Sequence, residues 1–176
     1  MWGVGLVLYL LLVSSIWQRW LTVAMIPATL SPPYWILMGA TGITVLAGSD
    51  ILTLPSTLPA VSAIAGFAKG TCLVFWSFGT WWIPLLIVLG FWRHVLRQWP
   101  LRYEPALWTV VFPIGMYGVA TFSFGKAANL SFMDSVSRAA IWVAIAAWLL
   151  VAAAGLLRMA RGGGRSIVDD ARTQAR

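Results

Sequence analysis

Apolar residues run through this chain in five blocks, each closed by prolines or by basic side chains. Cut at those marks, the candidate spans cover about 2–19, 34–52, 71–96, 105–125 and 137–157. A helix needs about 20 predominantly apolar residues to cross a bilayer core, and each block meets or approaches that length. The pattern therefore predicts an all-α integral membrane protein of about five transmembrane helices. The first block lacks a basic start and an A-x-A-like cleavage site, so it reads as a span that stays in the membrane rather than a leader.

Between the blocks, the breaks have recognisable chemistry. In IPATLSPP, Ser31 suits an N-cap, and Pro32 and Pro33 fit a first helical turn, where a missing N–H costs nothing. LPSTLPAVSAIAGFAKG, from Leu54 to Gly70, mixes two prolines with small residues and reads as an interfacial or re-entrant piece. The third span is dominated by aromatic rings, from Phe75 to Trp92, with Pro84 inside it. Ser131-x-x-Asp134 has capping-box spacing ahead of the fifth span, and Asp134 and Arg138 are placed to pair. Residues 161–176 form a polar, glycine-bearing tail that reads as disordered.

Composition confirms the solvent. The chain is 60% hydrophobic and only 10% charged, against about 45–50% and about 25% in soluble domains. Its net charge of +7 does not build a nucleic-acid stripe, because the basic residues sit at the ends of apolar runs. With alternating spans and the tail inside, the inner side holds Arg19, Arg93, Arg97, Arg102, Arg158, Arg161, Arg165, Arg172 and Arg176. The outer side holds only Lys69, Lys126 and Arg138. The positive-inside rule thus places the N-terminus outside and the C-terminus in the cytoplasm, in a cell membrane. An outside N-terminus without a leader implies that something precedes Met1.

Catalytic chemistry has little to work with. One cysteine and one histidine exclude an internal disulfide, a cysteine-based metal site and an intrachain bis-histidine haem. The acidic residues Asp50, Glu104, Asp134, Asp169 and Asp170 map to span ends or to the tail, and none lies at mid-membrane. His94 reads as an interfacial residue and Cys72 as a small buried hydrophobe. Most of the 12 tryptophans lie near span ends, where amphipathic rings form belts. Neither an enzyme nor a bound cofactor or metal is expected.

Two spans carry more than an anchor needs. In YWILMGATGITVLAGSDIL, Gly39, Gly42 and Ser49 share a face on which a neighbouring helix could close. Thr41 and Thr44 add hydroxyls that bond back to the preceding turn or face a polar lumen. In WTVVFPIGMYGVATFSFG, Pro113 bends the axis, and Gly115, Gly118, Ala120 and Thr121 leave one side nearly bare. Such a face serves a tight helix contact. It equally suits a kinked lining helix with Phe112 projecting into a passage, where its ring would exclude water and ions.

At these residues a family resemblance appears. WTVVFPIGMYGVAT resembles the ninth helix of the tellurite-resistance/C4-dicarboxylate transporter family, which includes TehA-like proteins, malic-acid permeases, sulfite exporters and plant slow-type anion channels. PPYWILMGATGITVLAG resembles its seventh helix, and FWSFGTWWIPLLIVLGFWRH its eighth, in the same order and spacing. The resemblance implies a ten-helix fold of five hairpins around a central pore, often trimeric, of which this chain holds the second half. It implies passage of small anions or organic acids (malate, tellurite, sulfite or inorganic anions) without a cofactor. It makes Phe112 the pore gate, with Pro113, Gly115, Gly118, Thr121, Gly39, Gly42 and Thr44 as lining or kink residues. Two lining helices cannot enclose a pore in one copy, so the expected partners are the lipid bilayer, an anionic solute, and a missing N-terminal half or identical copies. A non-transporting structural or regulatory subunit is the alternative, favoured by the small-residue faces.

Overall fold

The computed structural model describes residues 1–173 apart from Ala28, Ser31 and Arg102, with side chains described as far as Ala160. Five helices carry the fold: α1 (Trp2–Thr22), α2 (Ile36–Leu52), α3 (Pro59–Phe91), α4 (Trp108–Ala128) and α5 (Phe132–Thr173). A 3-10 turn, Pro32–Trp35, leads into α2, and another, Pro105–Leu107, leads into α4. A π-helical turn, Trp92–Leu96, ends α3. All five helices are long and apolar enough to cross a membrane. In α1, hydroxyls that lipid could not satisfy return to their own helix: Ser14 donates to the Leu10 carbonyl at 2.7 Å and Ser15 to that of Leu11 at 2.9 Å.

Three local expectations need correction. The stretch expected to be interfacial or re-entrant is the first part of α3, which runs unbroken for 33 residues from Pro59. Pro59 stands in the first turn, where a proline starts a helix instead of stopping one, and no proline follows until Pro84. At 1.5 Å per residue such a helix reaches about 50 Å, well beyond a hydrocarbon core of about 30 Å. The Ser131 capping box is replaced by a backbone closure, Asp134 N–H to the Ser131 carbonyl at 3.2 Å, and α5 begins at Phe132 rather than near Ser137. Trp17 and Trp20, expected in an interfacial belt, instead join Tyr34, Phe78, Trp81 and Trp82 in one aromatic cluster. The N-cap proposed at Ser31 lies outside the described residues, as do the side chains of the tail from 161.

Contact pairs give the handedness of the packing directly. Gly39 meets Pro113 and Gly42 meets Met116, so α2 and α4 run parallel. Thr41 lies against Gly79 while Gly48 lies against Cys72, so α2 and α3 are antiparallel. Gly118 against Ile141 and Gly125 against Met133 make α4 and α5 antiparallel as well. At each of them a neighbouring helix rests on bare glycine backbone, with its side chains at Gly39, Gly48 and Gly79 and with its own backbone at Gly42, so a Cβ there would be crowded. Helix α1 is held differently. Its Tyr9 packs on Phe75 with ring centroids 5.4 Å apart, and Trp17 stacks on Trp81 at 5.9 Å. Rings of that size fill the space between helix axes, so α1 stands off where α2, α4 and α5 press together.

Polar groups inside the bundle find partners. Trp76 Nε1 donates to Thr121 Oγ1 at 3.0 Å, and Thr121 Oγ1 donates onward to the Tyr117 carbonyl at 2.6 Å. Trp82, fully buried, donates to the Tyr9 hydroxyl at 3.2 Å. Ser137 ties α5 to α4 by donating to the Gly118 carbonyl at 2.9 Å. Each such interhelical bond contributes about 0.6 kcal/mol on average in a membrane. Helix α4 then stops on Asn129, whose φ of 58° is left-handed. Leu130 N–H reaches back to the Gly125 carbonyl at 2.8 Å, the closure of a Schellman end. That turn sends α5 back along α4.

Candidate functional site

The faces that these contacts leave uncovered define the site. At 100° per residue, Gly39 and Gly42 turn one side of α2 toward α4, while Thr41 and Gly48 turn another toward α3. Ile36, Ile43 and Asp50, exposed, share the remaining side with half-buried Ala40 and Ala47. On α4, Pro113 and Tyr117 face α2, Thr121 faces Trp76 of α3, and Gly118 and Gly125 face α5. Phe112, Val119 and Phe122, exposed, with half-buried Gly115 and Met116, fill the arc that is left. Because α2 and α4 are parallel, the two arcs can be compared in one frame. Both fall on the same side of the α2–α4 plane, opposite α3. The two helices thus present one continuous, mostly apolar front, with half-buried Thr44 at its edge, half-buried Ser123 on the α4 arc, and Asp50 and Lys126 at its far end.

On this front Phe112 is 57% exposed, beside a fully buried Pro113. The cause is steric. Pro113 fits against the bare backbone of Gly39, which seats α4 on α2 and leaves the preceding residue pointing away from both α2 and α3. Gly115 has no atom within 4 Å of where a Cβ would stand, so the surface drops away beside the Phe112 ring. The far wall of this groove is α5, through Ile141, Ala144, Ile145 and Trp148.

The other residues expected to line a passage lie elsewhere. Gly39, Gly42 and Gly118 are bare because a neighbouring helix rests on them. Thr121 is buried, with its hydroxyl engaged by Trp76 and by its own helix. Thr44 is half-buried at the edge of the front, and its carbonyl accepts from Trp2 Nε1 at 2.9 Å. So of the residues singled out from sequence, Phe112 and Gly115 share the free face, and Pro113 sets their direction. The glycines of the second span serve packing. Missed altogether was the burial of Arg93, read from sequence only as a mark of topology, although it is 8% exposed at the end of α3. Among the described residues no group of three or more His, Cys, Asp or Glu side chains comes together to hold a metal ion.

This arrangement can be set beside known proteins. The model of the voltage-dependent anion channel family matches residues 1–156. An uncharacterized membrane protein of Mycobacterium tuberculosis is 44% identical over 159 residues, which make up 90% of this chain and 80% of the relative. An uncharacterized transporter of Methanocaldococcus jannaschii is 24% identical over 149 residues, 85% of this chain but 42% of the transporter. A second transporter from that organism gives 24% identity and 41% coverage of its own length. No solved structure matches the chain significantly. The resemblance read from three helices therefore extends over nearly the whole membrane region: the chain belongs to the voltage-dependent anion channel family, the superfamily of the tellurite-resistance/dicarboxylate transporters.

Proposed function

We propose that this chain supplies two walls of a pathway for small anions or organic acids, and that Phe112 is the residue that closes it. The observation that carries this reading is the common free front of α2 and α4, with an exposed aromatic ring on it next to a buried proline. A helix packed only for structure gains nothing by holding phenylalanine over a bare glycine. A ring that narrows a passage does, because an apolar constriction excludes hydrated ions by dewetting. Pro113 acts as the positioning residue, Gly115 as lining, and Gly39 and Gly42 as the contacts that let α2 and α4 stand side by side. Thr44, Gly118 and Thr121 support the wall from behind and need not touch solute. No step of bond making or breaking is involved, and no cofactor or metal.

The remaining walls come from helices outside this chain, either a further five-helix half or other copies, within a cell membrane with the C-terminus in the cytoplasm. The basic residues gathered at the end where α1 and α3 stop and α2 and α4 start support that orientation. The solute class extends across C4-dicarboxylates, sulfite, tellurite and inorganic anions, since an apolar front selects by size more than by contact.

The test is anion flux. Proteoliposomes carrying the chain, with and without a five-helix partner half from a ten-helix relative, should release or take up malate, sulfite or chloride in at least one combination. If every combination stays at the level of empty vesicles while the protein remains folded, the chain is a packing subunit, and the transport reading fails.

A further inference from the structure

Arg93 is a buried cation with no buried counter-charge among the described residues. It sits in the π turn that ends α3, 8% exposed, and its Nε has no hydrogen-bond partner among the described residues. The guanidinium lies over the Trp99 ring, 5.6 Å from its centroid, which compensates only part of the cost of leaving water. Trp99 is brought there by a fold-back: Gln98 adopts a φ of 50°, and the Trp99 N–H reaches the Arg93 carbonyl at 3.1 Å. Nearby Arg97 behaves as an ordinary exposed arginine stacked on Trp92, 5.1 Å from its ring.

Beside Arg93 is a cavity of about 190 Å³, whose lining includes Tyr34, Trp35, Gly90, Arg93, His94 and Leu107. Three elements converge on it: the turn that starts α2, the end of α3 and the turn that starts α4. Two helix N-termini therefore border it, and since Pro32, Pro33 and Pro105 carry no N–H, their partial positive charge comes from the N–H groups that follow. His94 Nδ1 lies 3.0 Å from the Trp99 carbonyl, which can only accept, so that nitrogen carries the proton. Gly90 has nothing within 4 Å of its missing Cβ, which keeps the space beside Arg93 open. Among the described residues no acidic side chain lines the cavity. Its volume equals about six water molecules at roughly 30 Å³ each, enough for a small oxyanion.

We propose that this cavity is a binding site for an oxyanion group (carboxylate, phosphate or sulfur oxyanion) held by the Arg93 guanidinium. A planar donor fork matches such groups two oxygens at a time, and an anion here would supply the charge that the fold leaves out. The proposal does not rest on the transport reading above, because the cavity lies on the α3 side of α2 and α4, opposite the free front.

Thermal unfolding of the full chain in non-ionic detergent, followed by tryptophan fluorescence at constant ionic strength, tests it without any flux measurement. The soluble probes are malate and inorganic phosphate, and the headgroup probe is dihexanoyl phosphatidylglycerol. The wild type should be stabilised saturably, Arg93→Gln should weaken the apparent affinity about tenfold or more, and Arg97→Gln should behave as wild type. Without probe, Arg93→Gln should melt at or above the wild type, because an unpaired buried charge has been removed. Saturation by the soluble probes supports a solute site. Saturation by the phospholipid alone supports the oxyanion site and makes a lipid headgroup its ligand. A full shift in Arg93→Gln, or no saturable shift with any probe, overturns the site.

Discussion

Replacing Phe112 by alanine in an assembled, flux-competent protein raises anion flux about tenfold or more, the equivalent of roughly 1.4 kcal/mol taken off the rate-limiting barrier. The ring is over half exposed, at the edge of an open groove, so its removal creates no enclosed cavity and leaves the bundle intact. The fold therefore survives the substitution, and flux reads the constriction alone. Phe112→Leu should lie between the two, being narrower than phenylalanine but still apolar. Solute uptake into proteoliposomes, with the unfolding temperature measured on the same preparations, is the check. Unchanged flux in folded Phe112→Ala removes Phe112 from the gate.

A second pair of substitutions separates packing from passage. Gly42→Leu should destabilise the bundle by about 3 kcal/mol or more, since even a Cβ there lies 3.3 Å from the Met116 backbone. Backbone cannot rotate away as a side chain can, so α2 and α4 must part. Gly115→Leu uses the same two residue types three positions after the gate and should leave the unfolding temperature unchanged or slightly higher. Its Cβ meets nothing, and leucine ranks just below alanine, which is about 0.8–1.0 kcal/mol better than glycine within a helix. Flux, however, should fall, because the new side chain stands on the free front beside Phe112. The opposite assignment, a stable Gly42→Leu and an unstable Gly115→Leu, would mean that the faces of α2 and α4 are exchanged.

Those two glycines also show how far the sequence could be read. Apolar runs between prolines and charges locate all five helices, because burying backbone in lipid leaves few alternatives. Which face of a helix is covered is not encoded in the same way. Gly42 and Gly115 are identical as residues and differ only in whether another helix arrives. Prolines are ambiguous for a related reason: Pro59 starts α3 and Pro84 lies inside it, so a proline alone does not say whether a helix begins, ends or continues. The gate reading of Phe112 came from its place before a proline and from family likeness, whereas its exposure could be read only from the packing of Pro113 on Gly39. Arg93 was illegible because its burial depends on a π turn and on the fold-back at Gln98, neither of which apolar periodicity predicts.

The clasp around α4 has a consequence for time. With α2 on one side, α3 behind and α5 along another, each through glycine contacts or interhelical hydrogen bonds, α4 has no room to swing. The free part is the Phe112 ring. On the gating proposed above, opening is a side-chain event, on the picosecond-to-nanosecond scale of exposed rotamers rather than the microseconds to milliseconds of helix motion. Single-channel records should show a steady averaged conductance instead of resolved openings and closures. Long, discrete closures would show that a larger element moves.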